Sequence, residues 1–193
     1  MVHSRSLWLA YHMYNPRAVQ RLLPPGLDLA SEPLLCDDDT PSTPKLLFNA
    51  YDLSATWMRG HRIDVQTLAR HRVHRTLHLV VLDCVTDTMR WDPIDGVRPP
   101  NAQCRLERGD NYTLHARQLE HGACFEVRGV PGDAVAPSKP FVVDANRACY
   151  FGRAATPFRL TFDERAIARP VRRLNALEVR NDLWAPARRG PPT

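Results

Sequence analysis

The sequence predicts a mainly β (α+β) single domain with a few short helices, and three observations carry that prediction. Residues 77–85 are mostly branched and apolar between polar neighbours, the pattern of a strand covered on both faces. Beyond residue 103 short strand-like segments are separated by Arg108-Gly109-Asp110-Asn111 and Glu120-His121-Gly122, turn chemistry suited to a meander. A chain of 193 residues with no internal linker composition is large enough for one core. We assign residues 1–187 to that domain and residues 188–193 to a frayed tail.

In chain order, residues 7–14 read as an opening strand. Asn15-Pro16 then supplies an N-cap and a proline at the first helical position, so a short helix follows over 17–23, with Val19, Leu22 and Leu23 on its apolar face, until Pro24-Pro25-Gly26 stops it. Residues 31–44 lack periodicity and form a surface loop, in which Asp37-Asp38-Asp39 is a solvated run. Strands are expected at 45–53 and 61–69, separated by Met58-Arg59-Gly60. The second alternates Ile63, Val65 and Thr67 with Arg62, Asp64 and Gln66, which fits an antiparallel strand with one wet face, or one lining a cavity should the sheet close. Further strands are expected at 104–107, 112–119 and 123–130. Pro140 opens a helix over 141–150, and two strands lie within 158–184.

Composition narrows the function classes. The net charge of +5 comes from arginines dispersed along the chain, with only Lys45 and Lys139 as lysines. Charge without clustering or a binding module argues against a nucleic-acid partner. No apolar run approaches the roughly 20 residues of a membrane helix, and the first residues do not make a signal peptide, so a cytoplasmic, non-membrane protein is expected. The five cysteines, Cys36, Cys84, Cys104, Cys124 and Cys149, show neither disulfide nor zinc spacing. Cys84 and Cys124 read as small buried hydrophobes, a nucleophilic role requiring an adjacent base. His71, His74 and His78 span a predicted hairpin, where their rings would diverge. Neither a metal nor another cofactor is expected, and a homo-oligomer is left open.

The loop after the central strand, 91–101, holds Trp91, Asp92, Asp95 and Arg98 among Pro93, Gly96, Pro99 and Pro100. It reads either as a pocket wall with stiffly held charges or as an ordinary Pro- and Gly-rich turn.

Several segments together resemble the acetoacetate decarboxylase superfamily, in particular its divergent bacterial members. They are Trp8-Leu9-Ala10-Tyr11 with Leu22-Leu23-Pro24-Pro25-Gly26-Leu27, the stretch 60–64, the strand and loop ending at Asn101-Ala102, and residues 141–150. The resemblance implies a closed, cone-like antiparallel β-barrel around a small-molecule pocket. It also implies an acidic site residue at Asp64, reached through Gly60 and Arg62. The family's Schiff-base lysine falls at Pro100 or Asn101, and no lysine occurs between Lys45 and Lys139; neither proline nor asparagine forms an imine with a ketone.

Imine decarboxylation is therefore disfavoured, because a fold does not transfer a reaction whose nucleophile is gone. What remains is Asp64 as general acid or base, Asn101 as donor to an enolate oxygen, Arg62 and Arg98 as anion clamps, and Trp91 as an apolar wall. That set suits a lysine-independent enzyme acting on a small anionic or carbonyl-containing substrate, a keto acid or polyketide-like compound, by isomerisation, dehydration, cyclisation or decarboxylation. The alternatives are a barrel that binds a small molecule without changing it and an ion pair of Asp64 with Arg62 or Arg98 that only holds the fold together.

Overall fold

The computed structural model describes residues 6–13, 15–32, 43–55, 58–92, 96–120, 122, 124–131, 133, 148–150, 154–158 and 171–180, those at 6, 55, 58, 90–92, 96, 108, 131 and beyond 147 as backbone alone. The chain is mostly β, in order β1 (Ser6–His12), α1 (Pro16–Gln20), β2 (Leu27–Leu29), β3 (Lys45–Ala55), β4 (Met58–His71), β5 (Leu77–Thr86), β6 (Arg90–Asp92), β7 (Gly96–Arg98), β8 (Ala102–Arg108), β9 (Tyr112–Gln118), β10 (Cys124–Pro131), β11 (Ala148–Tyr150), β12 (Ala154–Phe158) and β13 (Val171–Arg180). Helix α1 begins as expected. The Asn15 side chain accepts from the Ala18 N–H at 3.1 Å, and Pro16 occupies the first turn. Val19 and Leu23 are buried, whereas Leu22 is exposed.

Strands β1-β3-β4-β5-β11-β12 form one sheet, to which β2 adds by pairing with β4; β13-β10-β9-β8 form a second, and β6 with β7 a small ribbon. All pairs are antiparallel except β11 with β5. The expected closed barrel is not what forms. No sheet closes: among the described residues β1 and β12 are the two ends of the large sheet and do not pair with each other. The physical reason lies in the core. Phe48, Ala50, Ile63, Val65 and Val85 from the large sheet meet Ala102, Leu114, Ala116, Phe125 and Val127 from the four-stranded one, with Phe48 and Phe125 stacked 5.1 Å apart. Face-to-face stacking buries both inner faces, so closure is not needed to bury them.

Three local expectations are also corrected. Met58-Arg59-Gly60 is not a connector: Ala55 pairs with Met58, so these residues belong to β4 and only 56–57 separate the strands. The end of the predicted helix at 141–150 is strand β11, lying beside Leu79 and Val80 of β5; a short apolar run fits a strand as well as a helix segment. The polar face of β4 is not wet, since Arg62, Asp64 and Gln66 are 7, 5 and 3 % exposed. The central strand β5 is largely buried along its length, as expected. The triple-aspartate run and residues 188–193 lie outside the described residues.

Candidate functional site

The polar cluster follows from strand alternation. Residues two apart on a strand share a face, and Ile63 and Val65 point into the core between the sheets, so Arg62, Asp64 and Gln66 lie on the opposite face of β4. Register then brings cross-strand neighbours alongside. Trp8, Asn49, Asp64 and Cys84 form one row across β1, β3, β4 and β5; Tyr51, Arg62 and Thr86 form the next. Beyond Asp64 the β4–β5 register shifts between Val65 and Gln66. Such bulges re-aim side chains and recur beside active sites.

Asp64 is the hub. Arg62 Nε donates to its Oδ1 at 2.7 Å, the Tyr51 hydroxyl donates to Oδ2 at 3.0 Å, and Gln66 Nε2 stands 3.5 Å from Oδ2. Burial, followed by the Asp64 charge, raises the Tyr51 phenol well above its ordinary value, against the opposing pull of Arg62. Tyr51 is thus held as a neutral O–H donor against a carboxylate. Two buried amide oxygens on this face, Asn49 Oδ1 and Gln66 Oε1, have no donor among the described residues. Orphan acceptors of that kind are uncommon in folded proteins and mark places where a donor belongs. The arrangement combines a carboxylate, a neutral phenol, a guanidinium and two unsatisfied carbonyl oxygens, a set able to accept a proton, donate one and hold an O–H or N–H group.

Only part of the predicted site comes together. Asp64 and Arg62 do, as the tightest ion pair of the cluster. Asn101 is one strand away, but its side chain serves the backbone of β5: Nδ2 donates to the Cys84 carbonyl at 3.0 Å and Oδ1 accepts from the Thr86 N–H at 2.9 Å. With its own N–H on the Thr86 carbonyl at 3.1 Å, Asn101 hydrogen-bonds along the edge of β5 at 84–86, where no strand pairs on that side among the described residues. Arg98 is exposed on the β6–β7 ribbon, opposite Arg90 in register. Trp91 is paired with Val97 in the same ribbon, and its side chain lies outside the described residues. The partly buried Trp8 holds the aromatic position beside the cluster.

Two other groups gather titratable side chains. Near the start of β4, next to Arg62, the Asp87 carboxylate accepts from the His61 N–H at 2.6 Å and meets its ring Nδ1 at 2.8 Å, with Asp52 3.6 Å from Nε2. The rings of His71, His74 and His78 do not diverge as expected: His71 lies 4.7 Å from His74 and 6.3 Å from His78, centre to centre. His71 Nδ1 accepts from the Val73 and His74 N–H groups, each at 3.2 Å, so that lone pair faces the turn. Among the described residues no group of three or more His, Cys, Asp or Glu is placed to hold a metal, and no helix is long and apolar enough to cross a membrane.

Sequence reasoning missed Tyr51, Asn49 and the pairing of Cys124 with His115, whose Sγ and Nε2 lie 3.4 Å apart. The signal for the first two was strand parity: once the β3–β4 hairpin is known to turn at 56–57, Tyr51 falls opposite Arg62 and Asn49 opposite Asp64. No family model, no curated protein and no solved structure matches the chain.

Proposed function

We propose that the chain is a small-molecule enzyme that moves a proton next to a carbonyl group at Asp64, without imine chemistry. One observation carries the reading: a buried carboxylate that already holds a neutral phenol and a guanidinium, beside two amide oxygens lacking donors. In the proposed step Asp64 takes the α-proton of a keto acid or related carbonyl compound. The Tyr51 hydroxyl turns from Asp64 to the oxygen on which enolate charge develops, and Arg62 balances the charge on the pair. Asn49 and Gln66 accept O–H or N–H groups of the substrate. Isomerisation, dehydration, cyclisation and lysine-independent decarboxylation all pass through such an enolate.

The resemblance to the acetoacetate decarboxylase superfamily enters this proposal only through the acidic position at Asp64. The same proposal takes the substrate to be anionic or carbonyl-bearing, the compartment to be the cytoplasm, and nucleic acid not to be a partner. A second reading has its own support. Arg62 and Asp64 are two apart on one strand and Asn101 is engaged by backbone, as in a purely structural network.

Incubating the protein with a panel of small keto acids and ketones in D2O separates the readings, with proton NMR following α-deuteration. The enzyme reading predicts exchange above buffer for at least one compound, lost in Asp64→Asn and reduced in Tyr51→Phe. Exchange at the buffer rate across the panel would leave the network structural.

A further inference from the structure

Strand parity also orders the outer face of the four-stranded sheet. Leu114, Ala116, Phe125 and Val127 point into the core, so Thr113, His115 and Arg117 of β9 and Cys124, Glu126 and Arg128 of β10 point away from it. Register sets them in rows across all four strands: Gln103, Arg117, Cys124 and Arg180 in one, Arg105, His115, Glu126 and Glu178 in the next. The face is charged, carrying the Arg105–Glu107 and Arg128–Glu126 ion pairs. A thiol is out of place there on packing grounds, because cysteine otherwise ranks among the most buried residue types. Cys84 shows that ordinary placement, being fully buried. Cys124 instead sits partly exposed with its sulfur 3.4 Å from His115 Nε2.

We propose that Cys124 and His115 form a nucleophilic thiol–imidazole pair that exchanges with small anionic disulfides, at a site separate from Asp64 and on the other side of the two-sheet stack. A thiol becomes a nucleophile when a base in contact takes its proton. Here His115 Nε2 accepts the Cys124 proton, and the thiolate attacks one sulfur of the disulfide. A bond forms between Cys124 and that half, the original S–S bond breaks, and the departing thiolate takes the proton from His115. The disulfide is itself the oxidant, so no other reactant is needed. Anionic reagents are favoured because Cys124 lies in register between two arginines, Arg117 of β9 and Arg180 of β13. Arg117 also lines a groove of about 210 Å³ with Gln103, Gln118, Leu119 and Gly122. Cys104 does not compete: burial, then the charges at Asp87 and Cys84, push its thiol up to about 12.

The test is the rate of modification of the native full chain by dithiobis(nitrobenzoate), a dicarboxylate disulfide, with peptide mapping to separate Cys124 from the other four cysteines. An unperturbed thiol is only a few per cent thiolate at pH 7, so Cys124 in the folded chain is expected to react about tenfold faster than in the urea-unfolded chain. Its rate should level off well below the pH at which an ordinary thiol ionises. His115→Gln, checked for folding by far-UV circular dichroism, should remove the advantage. Arg117→Gln should slow the dicarboxylate reagent about threefold or more and leave the neutral dithiodipyridine unchanged. Equal rates in folded and unfolded chains, or an unchanged rate in folded His115→Gln, would overturn the pair. Equal slowing of both reagents by Arg117→Gln would overturn the anion preference. The wild-type pH profile decides the matter should His115→Gln not fold.

Discussion

Replacing Asp64 by asparagine removes the carboxylate that meets a guanidinium and a phenol where all three are shielded from water. Arg62 is 7 % exposed and Asp64 5 %, and the two touch at 2.7 Å. Asparagine has nearly the same shape, so loss of packing contributes little. The charge on Arg62 would remain in a medium that solvates it poorly, which costs about 3–5 kcal/mol when one partner of a buried pair is removed. That is a large part of the about 5–15 kcal/mol by which a domain of this kind is stable. Replacing the whole group tells a different story. In the triple variant Arg62→Met, Asp64→Leu and Tyr51→Phe both charges of the pair are gone, and such replacements fall within about 1 kcal/mol of the parent or stabilise it. Urea denaturation followed by circular dichroism measures both. A loss below about 0.5 kcal/mol in Asp64→Asn would refute the buried pair, since only surface substitutions are that mild. A triple variant as unstable as Asp64→Asn would refute the argument from residual charge.

At Gly60 a Cβ would overlap Asp87 Oδ1 and touch Thr88 Cβ at 3.0 Å. Gly60→Ala should therefore displace Asp87 from the His61 N–H and cost about 1–3 kcal/mol in the same denaturation assay. Asn101→Asp puts a carboxylate oxygen where Nδ2 faces the Cys84 carbonyl and should cost about 1–3 kcal/mol, read as a lower urea midpoint. Phe125→Ala opens a cavity beneath Phe48 in the inter-sheet core and should cost about 3–5 kcal/mol by the same measurement. Cys104 in the folded chain stays protonated until about 12 against an ordinary 9.0, so between these values the unfolded state has released a proton that the folded state retains. Its stabilising contribution is complete below the ordinary value and fades as pH rises toward the folded one. Urea midpoints from pH 8 to 11 should fall, and fall less steeply in Cys104→Ala.

The strands were legible because their patterns are local. The branched run at 77–85, the turn residues at 108–111 and 120–122, and the Asn15-Pro16 cap each report on neighbours a few residues away, and each has its counterpart in the structure. The same alternation put Asp64 and Arg62 on one face of a strand, but it was the family resemblance that singled them out as site residues. Their burial was not legible. Whether a polar strand face meets water depends on what covers it, and the one-residue parity of the β3–β4 turn decided which side chains of β3 would meet it. The barrel expectation failed at the same level, because strand lengths and turns are alike in a closed sheet and in two stacked ones. Asn101 is a further case: the resemblance put it in the place of the family's lysine and so made it a donor to a ligand, yet the Cys84 carbonyl of β5 was the nearer acceptor. Cys124 and His115 are nine residues apart, and only the register across the turn at 119–122 brings them into contact.

The α-deuteration rate of the triple variant beside that of the wild-type chain decides whether Asp64 does chemistry as well as hold the sheet. Removing Arg62, Asp64 and Tyr51 together is expected to leave a folded protein of near-parental stability, and with the fold verified by circular dichroism a loss of exchange reports on the chemistry. If Asp64 moves protons, the wild-type chain exchanges above buffer for at least one keto compound and the triple variant exchanges at the buffer rate. Equal exchange by the two proteins, or none by the wild-type chain across the panel, would contradict that chemistry.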